Sequence, residues 1–251
     1  MIDMSPHHDP MGQAIADFHH HRAKGALRVF SPMFEEDEIP LPTLFRTFGQ
    51  MPPLERRALQ LASGRVADVG AGAGCHTLYL QEQGLHVTAI DISPLAVQTM
   101  QERGVRRAVC HDFFTLTEPF DTLLMLMNGI GLVGKLNRMP AFFAQLDKVL
   151  APGGQVLCDS SDLRYLYEDD DGTLLLPDDV DYYGEMHYTM QYADTLGHPF
   201  HWLYIDADTL RRQAALHGYE AQVIAQGEHY DYLARITRRP APTPPPSSPR
   251  A

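Results

Sequence analysis

Three glycines at alternate positions follow an acidic residue in Asp68-Val69-Gly70-Ala71-Gly72-Ala73-Gly74. The residues before them, Val66-Ala67-Asp68-Val69, form a short and mostly apolar run of the kind that makes a buried strand. A second apolar run, Val87-Thr88-Ala89-Ile90, ends in Asp91, about 20 residues beyond the first glycine. The physical reading is a strand, a tight glycine turn, a helix, and a second parallel strand tipped with a carboxylate. Such a carboxylate can accept hydrogen bonds from both hydroxyls of a ribose, so the pattern predicts a nucleoside-containing cofactor.

The glycine spacing narrows the choice. A dinucleotide turn reads G-x-G-x-x-G. Counted from Gly70 its third glycine would fall at Cys75, and counted from Gly72 at Thr77, so both frames fail. A turn that need not cradle a pyrophosphate fits a cofactor with an amino-acid tail. Arg46, a basic residue among apolar ones, could pair with a carboxylate on that tail through a two-pronged hydrogen bond. Asn128 lies just past a nearly continuous apolar run, at the edge where open α/β sheets bind ligands. Gly129 and Gly131 after it suggest close backbone approach to a ligand. His19-His20-His21 tempts as a metal site, but three adjacent helical residues point in different directions, so no metal is expected.

The elements that must position these residues alternate. Strands are expected at 66–69, 86–90, 107–110, 120–127 and 155–159. Helices are expected at 54–63, 75–83, after Ser93-Pro94, and at 140–150, with glycine or proline punctuation between them. This predicts an α/β fold, a mostly parallel sheet with helices on both faces. Residues 160–206 are too long for a plain connection. The turn letters Leu196-Gly197-His198-Pro199 divide two aromatic-rich flanks, so an inserted β-hairpin is expected there, with an acidic run, Glu168–Asp171, ahead of it. Asp206 or Asp208 then caps a helix ending at Gly218, and 219–225 and 230–237 read as the last strands. At the front, 1–12 reads as loose and 13–29 as a helix, while Pro40 and Pro42 keep 35–42 from being a regular helix. The organisation is thus an N-terminal lid segment over 1–53, a cofactor-binding domain over 54–239 with its substrate-side insertion at 160–206, and a proline- and serine-rich disordered tail at 240–251.

Bulk properties exclude some functions. The 251 residues carry a formal net charge of −12, which argues against tight binding to nucleic acid backbones. Three widely spaced cysteines suggest reduced thiols in a cytoplasmic protein. No apolar run is long enough to span a bilayer, and the polar, His-rich N-terminus does not read as a secretory signal. A homodimer is compatible with all of this.

The D-x-G-x-G-x-G run resembles the first motif of the class I, Rossmann-like methyltransferases that depend on S-adenosyl-L-methionine (SAM). The likeness covers roughly Leu54 to Arg239. It implies a seven-stranded sheet of order 3-2-1-4-5-7-6 with the last strand antiparallel. It also implies SAM as cofactor and S-adenosyl-L-homocysteine (SAH) as product. Carried over residue by residue, Asp68, Gly70, Ala71, Gly72 and Gly74 would hold the methionine part. Asp91 and Ile92 would serve the ribose and its surroundings, Asp112 the adenine amino group, and Phe113 the adenine ring. Asn128 would line the transfer site, and Arg46 completes the cofactor set. The whole chain is also similar to a group of small bacterial SAM-dependent methyltransferases. They share Ile39-Pro40, Leu44-Phe45-Arg46, Gly70 to His76, Met127 to Gly131 and Glu228 to Tyr232.

The resemblance therefore implies methyl transfer to a small-molecule acceptor at N, O or C. A protein or RNA methyltransferase, or a non-catalytic SAM-binding activator subunit, are the alternatives. Asp159, Ser160 and Ser161 close a strand at the ligand edge, and a base is sought among Glu185, His187 and His229. Phe45, Tyr183 and Trp202 are expected to shape the pocket.

Overall fold

A computed structural model describes residues 7–169, 171–173, 175–176 and 180–240. In chain order the elements begin with α1 (Pro10–His19), β1 (Leu27–Phe30), β2 (Asp37–Ile39), α2 (Pro53–Leu61), β3 (Arg65–Val69), α3 (Cys75–Glu82), β4 (His86–Asp91) and α4 (Pro94–Glu102). There follow β5 (Ala108–Cys110), β6 (Phe120–Met125), α5 (Met139–Val149), β7 (Leu150–Ser161), β8 (Glu185–Tyr192), β9 (Thr195–Leu196), β10 (Phe200–Leu203), α6 (Ala207–Leu216), β11 (Tyr219–Gln226) and β12 (Asp231–Arg238).

The main sheet has seven strands in the order β11-β12-β7-β6-β3-β4-β5. The five strands from β7 to β5 are parallel, and β12 runs antiparallel to both of its neighbours. This is the expected order. Strands β3 and β6 are apolar on both faces because each face is covered. On one side Ala67, Leu123, Val156 and Ile236 pack with Phe142, Phe143 and Leu146 of α5 and Leu210 of α6. On the other, Val66, Leu124, Leu157 and Leu233 pack with Leu54, Ala58 and Leu59 of α2 and Leu80 of α3.

A second, smaller sheet lies on the ligand side. Its order is β10-β8-β1-β2, with β9 paired to β8. The expected hairpin is there, with Met186 opposite Trp202. Its other edge is extended by the N-terminal segment, with Leu27 opposite Tyr192 and Phe30 opposite Thr189. One core unites the pieces: Ile15 of α1, Leu27, Leu41 and Leu44 meet Tyr192 of β8, Ala73 of the glycine turn and Ala96 of α4.

The front of the chain differs from expectation in two ways. The helix stops at His19, and 27–30 is a strand, because the Arg-Val-Phe sequence finds β8 as a pairing partner and Gly25 takes φ +133° to turn the chain. Asp9 to Gly12 are ordered, with Asp9 fully buried as the N-cap of α1. The expected loose 1–6, the tail beyond 240 and Asp170 of the acidic run lie outside the described residues.

Candidate functional site

The C-terminal edge of the main sheet gathers two sets of side chains. The first is at β3, β4 and β5. Gly70 and Ala71 N–H both donate to the Ile90 carbonyl, at 2.8 and 3.1 Å, which ties the glycine turn to the end of β4. Gly70 adopts φ +72°, and a Cβ there would meet no heavy atom within 4 Å, so the turn has an open side. The Asp91 carboxylate accepts the Gly72 N–H at 2.8 Å and the Ser93 N–H at 2.9 Å. Each accepting oxygen keeps a further lone pair. Burial pushes the Asp91 carboxyl up to about 6, with the neighbouring Asp9 carboxyl adding to the shift and the backbone donors opposing it. Ile92 beside it is an exposed apolar side chain. Asp112 is exposed and accepts the Phe114 N–H, capping a short turn. Phe113 departs from the role expected of it. Its ring is 4% exposed and packs against Phe142 within the core, so no ring face is open to a ligand.

The second set lies where β3, β6 and β7 end, on the α2–α3 side. Arg46 Nη2 donates to both oxygens of Glu55, at 2.7 and 2.9 Å, and His76 Nε2 lies 2.8 Å from the same carboxylate. All three are largely buried. Burial disfavours the charged imidazole, yet Cys75, Glu55 and Asp68 outweigh it and hold the His76 pKa well above its ordinary value. Arg46 Nε is buried with no partner among the described residues. Asp68 accepts the Thr77 hydroxyl at 2.6 Å. Asp159 at the end of β7 accepts the Asn128 N–H at 3.0 Å, and the Ser161 hydroxyl donates to the Asn128 side-chain oxygen at 3.3 Å. Burial pushes the Asp159 carboxyl up to about 7; Glu55 raises it further, while the Asn128 N–H and His76 lower it. Met127 and Asn128 both carry positive φ, 62° and 55°, a costly conformation for two consecutive non-glycine residues.

Tyr165, Tyr188 and Tyr204, which the sequence reading passed over, form an interacting group, and Tyr204 also interacts with Asp159 of this second set. Tyr204 follows β10, and Asp37, Asp159 and Tyr165 are close enough to act on it; burial is the chief cause of its raised pKa. The Tyr188 side chain interacts with that of Tyr204, and Tyr165 stacks on Tyr230 at 4.9 Å between ring centroids. The expected aromatics have other work. Phe45 packs on Phe18 with the Arg103 guanidinium over its ring, and Tyr183 packs against Tyr182. Trp202 fills the space beside Gly131, where a Cβ would lie 2.1 Å from the indole nitrogen. That glycine therefore makes room for a tryptophan, not for a ligand.

Placement does not support the three residues from which a base was sought. Glu185 accepts the Leu136 N–H at 2.8 Å and lies 3.5 Å from Lys135 Nζ, so it fastens the hairpin to the β6–α5 connection. His187 on β8 faces His201 on β10, on the opposite side of β8 from Met186 and Tyr188. His229 is exposed, in the turn before β12. The divergence argument for the three histidines holds only in part. His20 is the C-cap of α1, so it and His19 both approach Glu102, at 3.1 and 3.6 Å, in a partly exposed group whose possible ligand atoms lie within 4.8 Å of one another.

A family model described as a methyltransferase domain matches residues 66–154. The chain is similar to a SAM-dependent methyltransferase from Bacteroides fragilis solved in complex with S-adenosyl-L-homocysteine. Identity is 53%, the TM-score is 0.89, and 95% of this chain and 98% of that one are covered. A sugar N-methyltransferase from Streptoalloteichus shares the fold at 18% identity and a TM-score of 0.51, over 74% of this chain and 85% of that one. Demethylmenaquinone methyltransferase from Tropheryma whipplei is 33% identical over 110 residues, 41% of this chain. The match spans only 44% of that curated relative's length.

Proposed function

Because this chain belongs to the SAM-dependent methyltransferases, we propose that it methylates a small-molecule acceptor where the C-terminal edge of the main sheet faces the small sheet. The observation that carries this reading is the pairing of an open glycine turn with a desolvated Asp91 on one side and a buried, half-satisfied Arg46 on the other.

These residues fit the cofactor. Asp91 offers lone pairs to ribose hydroxyls, and donors there would relieve its desolvated charge. Ile92 and Asp112 offer an apolar surface and a carboxylate for the adenine, in place of the buried Phe113. Asp68, Gly70, Ala71, Gly72 and Gly74 line the methionine part, and the orphaned Arg46 Nε suits its carboxylate. Glu55 aims that guanidinium while His76 fixes Glu55 from the first turn of α3. When bound, SAM supplies an electrophilic methyl group on a sulfonium sulfur, which keeps the bonding pair as the acceptor's lone pair takes the carbon. Asn128 borders the acceptor, held in its left-handed conformation by Asp159 and Ser161. The small sheet and α1 exclude water, with Ile15 reaching to 3.9 Å from where a Cβ of Gly72 would sit. The acidic surface suits a metabolite better than a nucleic acid, and three unpaired cysteines suit the cytoplasm. No helix of the described residues is long and apolar enough to cross a membrane.

Calorimetric titration of the purified protein with SAH, with NAD in parallel, tests the reading. Micromolar binding of SAH alone is expected. Preference for NAD, or no binding of either, overturns it.

A further inference from the structure

Helices α1 and α4 run side by side and in the same direction. Their N-termini are tied where the Ser93 hydroxyl, at the cap of α4, donates to the Asp9 carboxylate, at the cap of α1. Their C-termini meet at the other end, where His19 closes α1, His20 caps it and Glu102 closes α4. His20 Nε2 lies 3.1 Å from Glu102 Oε2, and His19 Nε2 lies 3.6 Å from the same oxygen. The two imidazoles are 5.0 Å apart between centroids with their planes inclined by 55°, so they do not stack face to face. Among the described residues this is the one group in which three His, Cys or carboxylate donors converge, with their ligand atoms within 4.8 Å of one another.

The spacing suits a metal ion. A tetrahedral ion about 2.0–2.1 Å from each ligand sets those ligands about 3.3 Å apart, and the two measured separations bracket that value. Gln98 Nε2 donates to Glu102 Oε1 at 2.9 Å, which leaves Oε2 to the histidines. Cations close by in the chain are held by other partners. The Arg103 guanidinium lies over the Phe45 ring and donates to the Ala73 carbonyl, and Arg22 pairs with Asp17 at 3.7 Å. Two helix C-termini, each the negative end of its dipole, come together here and favour a cation. Two imidazoles with one carboxylate suit Zn²⁺ better than Mg²⁺ or Ca²⁺, which take oxygen ligands.

We propose that His19, His20 and Glu102 form a binding site for a divalent transition-metal ion, with Zn²⁺ as its reference ligand, and that the ion joins the end of α1 to the end of α4. Each Nε2 gives a lone pair, so a ring that carries a proton there releases it on binding. Three protein ligands leave the fourth position to water. The site is independent of the methyl-transfer reading, because the ten residues of α1 put about 15 Å between it and the Asp9 end. Its effect is to hold the N-terminal segment against the main domain at the end that the Asp9–Ser93 bond does not reach.

The test titrates the full chain, stripped with a chelator and desalted, with Zn²⁺ by calorimetry. One equivalent should bind at micromolar affinity, and Mg²⁺ and Ca²⁺ should not displace it. Glu102→Gln and His20→Gln should each weaken binding about tenfold or more. Two other histidine pairs, His8–His198 and His187–His201, have ring centroids 4.3 and 5.0 Å apart and serve as controls: His198→Gln and His201→Gln should leave binding unchanged. Co²⁺ in place of Zn²⁺ should give no thiolate charge-transfer band, which sets the cysteines aside. Zn²⁺ should also raise the melting temperature and slow tryptic cleavage after the exposed Arg22 and Lys24, in the wild-type chain but not in Glu102→Gln. No zinc binding, binding that survives both substitutions, binding lost in either control, a thiolate band, or zinc binding without the Glu102-dependent protection overturns the proposal.

Discussion

The two halves of the ligand edge are built by different means. At β3, β4 and β5 the site is mostly backbone: a glycine turn, two N–H groups on one carbonyl, and one carboxylate at a strand tip. At β6 and β7 it is mostly side chains drawn from distant parts of the chain, including Arg46, Glu55, His76, Asp159 and Tyr204. A backbone site is generic and serves any ligand with a ribose. A side-chain site is particular, and it is where one member of a fold can differ from another.

Substitutions can break or sharpen that contrast. The largest loss is expected from Glu55→Gln, which leaves Arg46 and His76 as buried cations without their shared counter-charge. A cost of about 3 kcal/mol in stability is expected, read by thermal or denaturant unfolding. An unchanged midpoint would mean that the cluster does not act as a unit. Asp91→Ala should leave the fold nearly intact and weaken SAH binding by about 2 kcal/mol, the scale of lost hydrogen bonds to a charged group. Calorimetry checks it, and full affinity would remove Asp91 from the ribose role. Gly131→Ala drives a methyl into Trp202 and should cost about 1.5 kcal/mol, with SAH affinity unchanged. Weaker SAH binding at unchanged stability would instead put that glycine back beside the ligand.

The smallest effect is a pH slope. Asp91 and Asp159 have folded-state pKa values of about 6 and about 7, above the ordinary carboxylate value. A raised pKa means that the folded form binds the proton more tightly. The stability this gives is complete below about pH 4 and is lost as pH rises through about 6 to 7. Across that window these two groups should lower the melting temperature by a few degrees, and Asp159→Asn should flatten part of the fall. A melting temperature that rises with pH over the same range, unaltered by the substitution, would deny both carboxyls their desolvated state.

The backbone half was legible in the sequence because its signals are local. The glycines and Asp91 stand about 20 residues apart, and the intervening helix and strands announce themselves by periodicity and punctuation. The side-chain half was not, because its partners are set by packing. Nothing near Arg46 says that Glu55 will take its Nη2, and nothing near Gly131 says that Trp202 will occupy its missing Cβ. Alternation along β8 carried a usable signal for one error. Met186, Tyr188, Met190 and Tyr192 share a face with the core, which puts His187 on the other. Residues 27–29 read as helix for a related reason: a strand whose partner lies near residue 190 shows no local sign of it.

That pairing also sets an order of events. Strands β1 and β2 emerge early from the ribosome, yet β8, which joins them to β10, is completed only at residue 192. Closing so long a loop is slow beside the local βα steps that build β3 to β5. The nucleoside end can therefore take shape while the small sheet is still open chain.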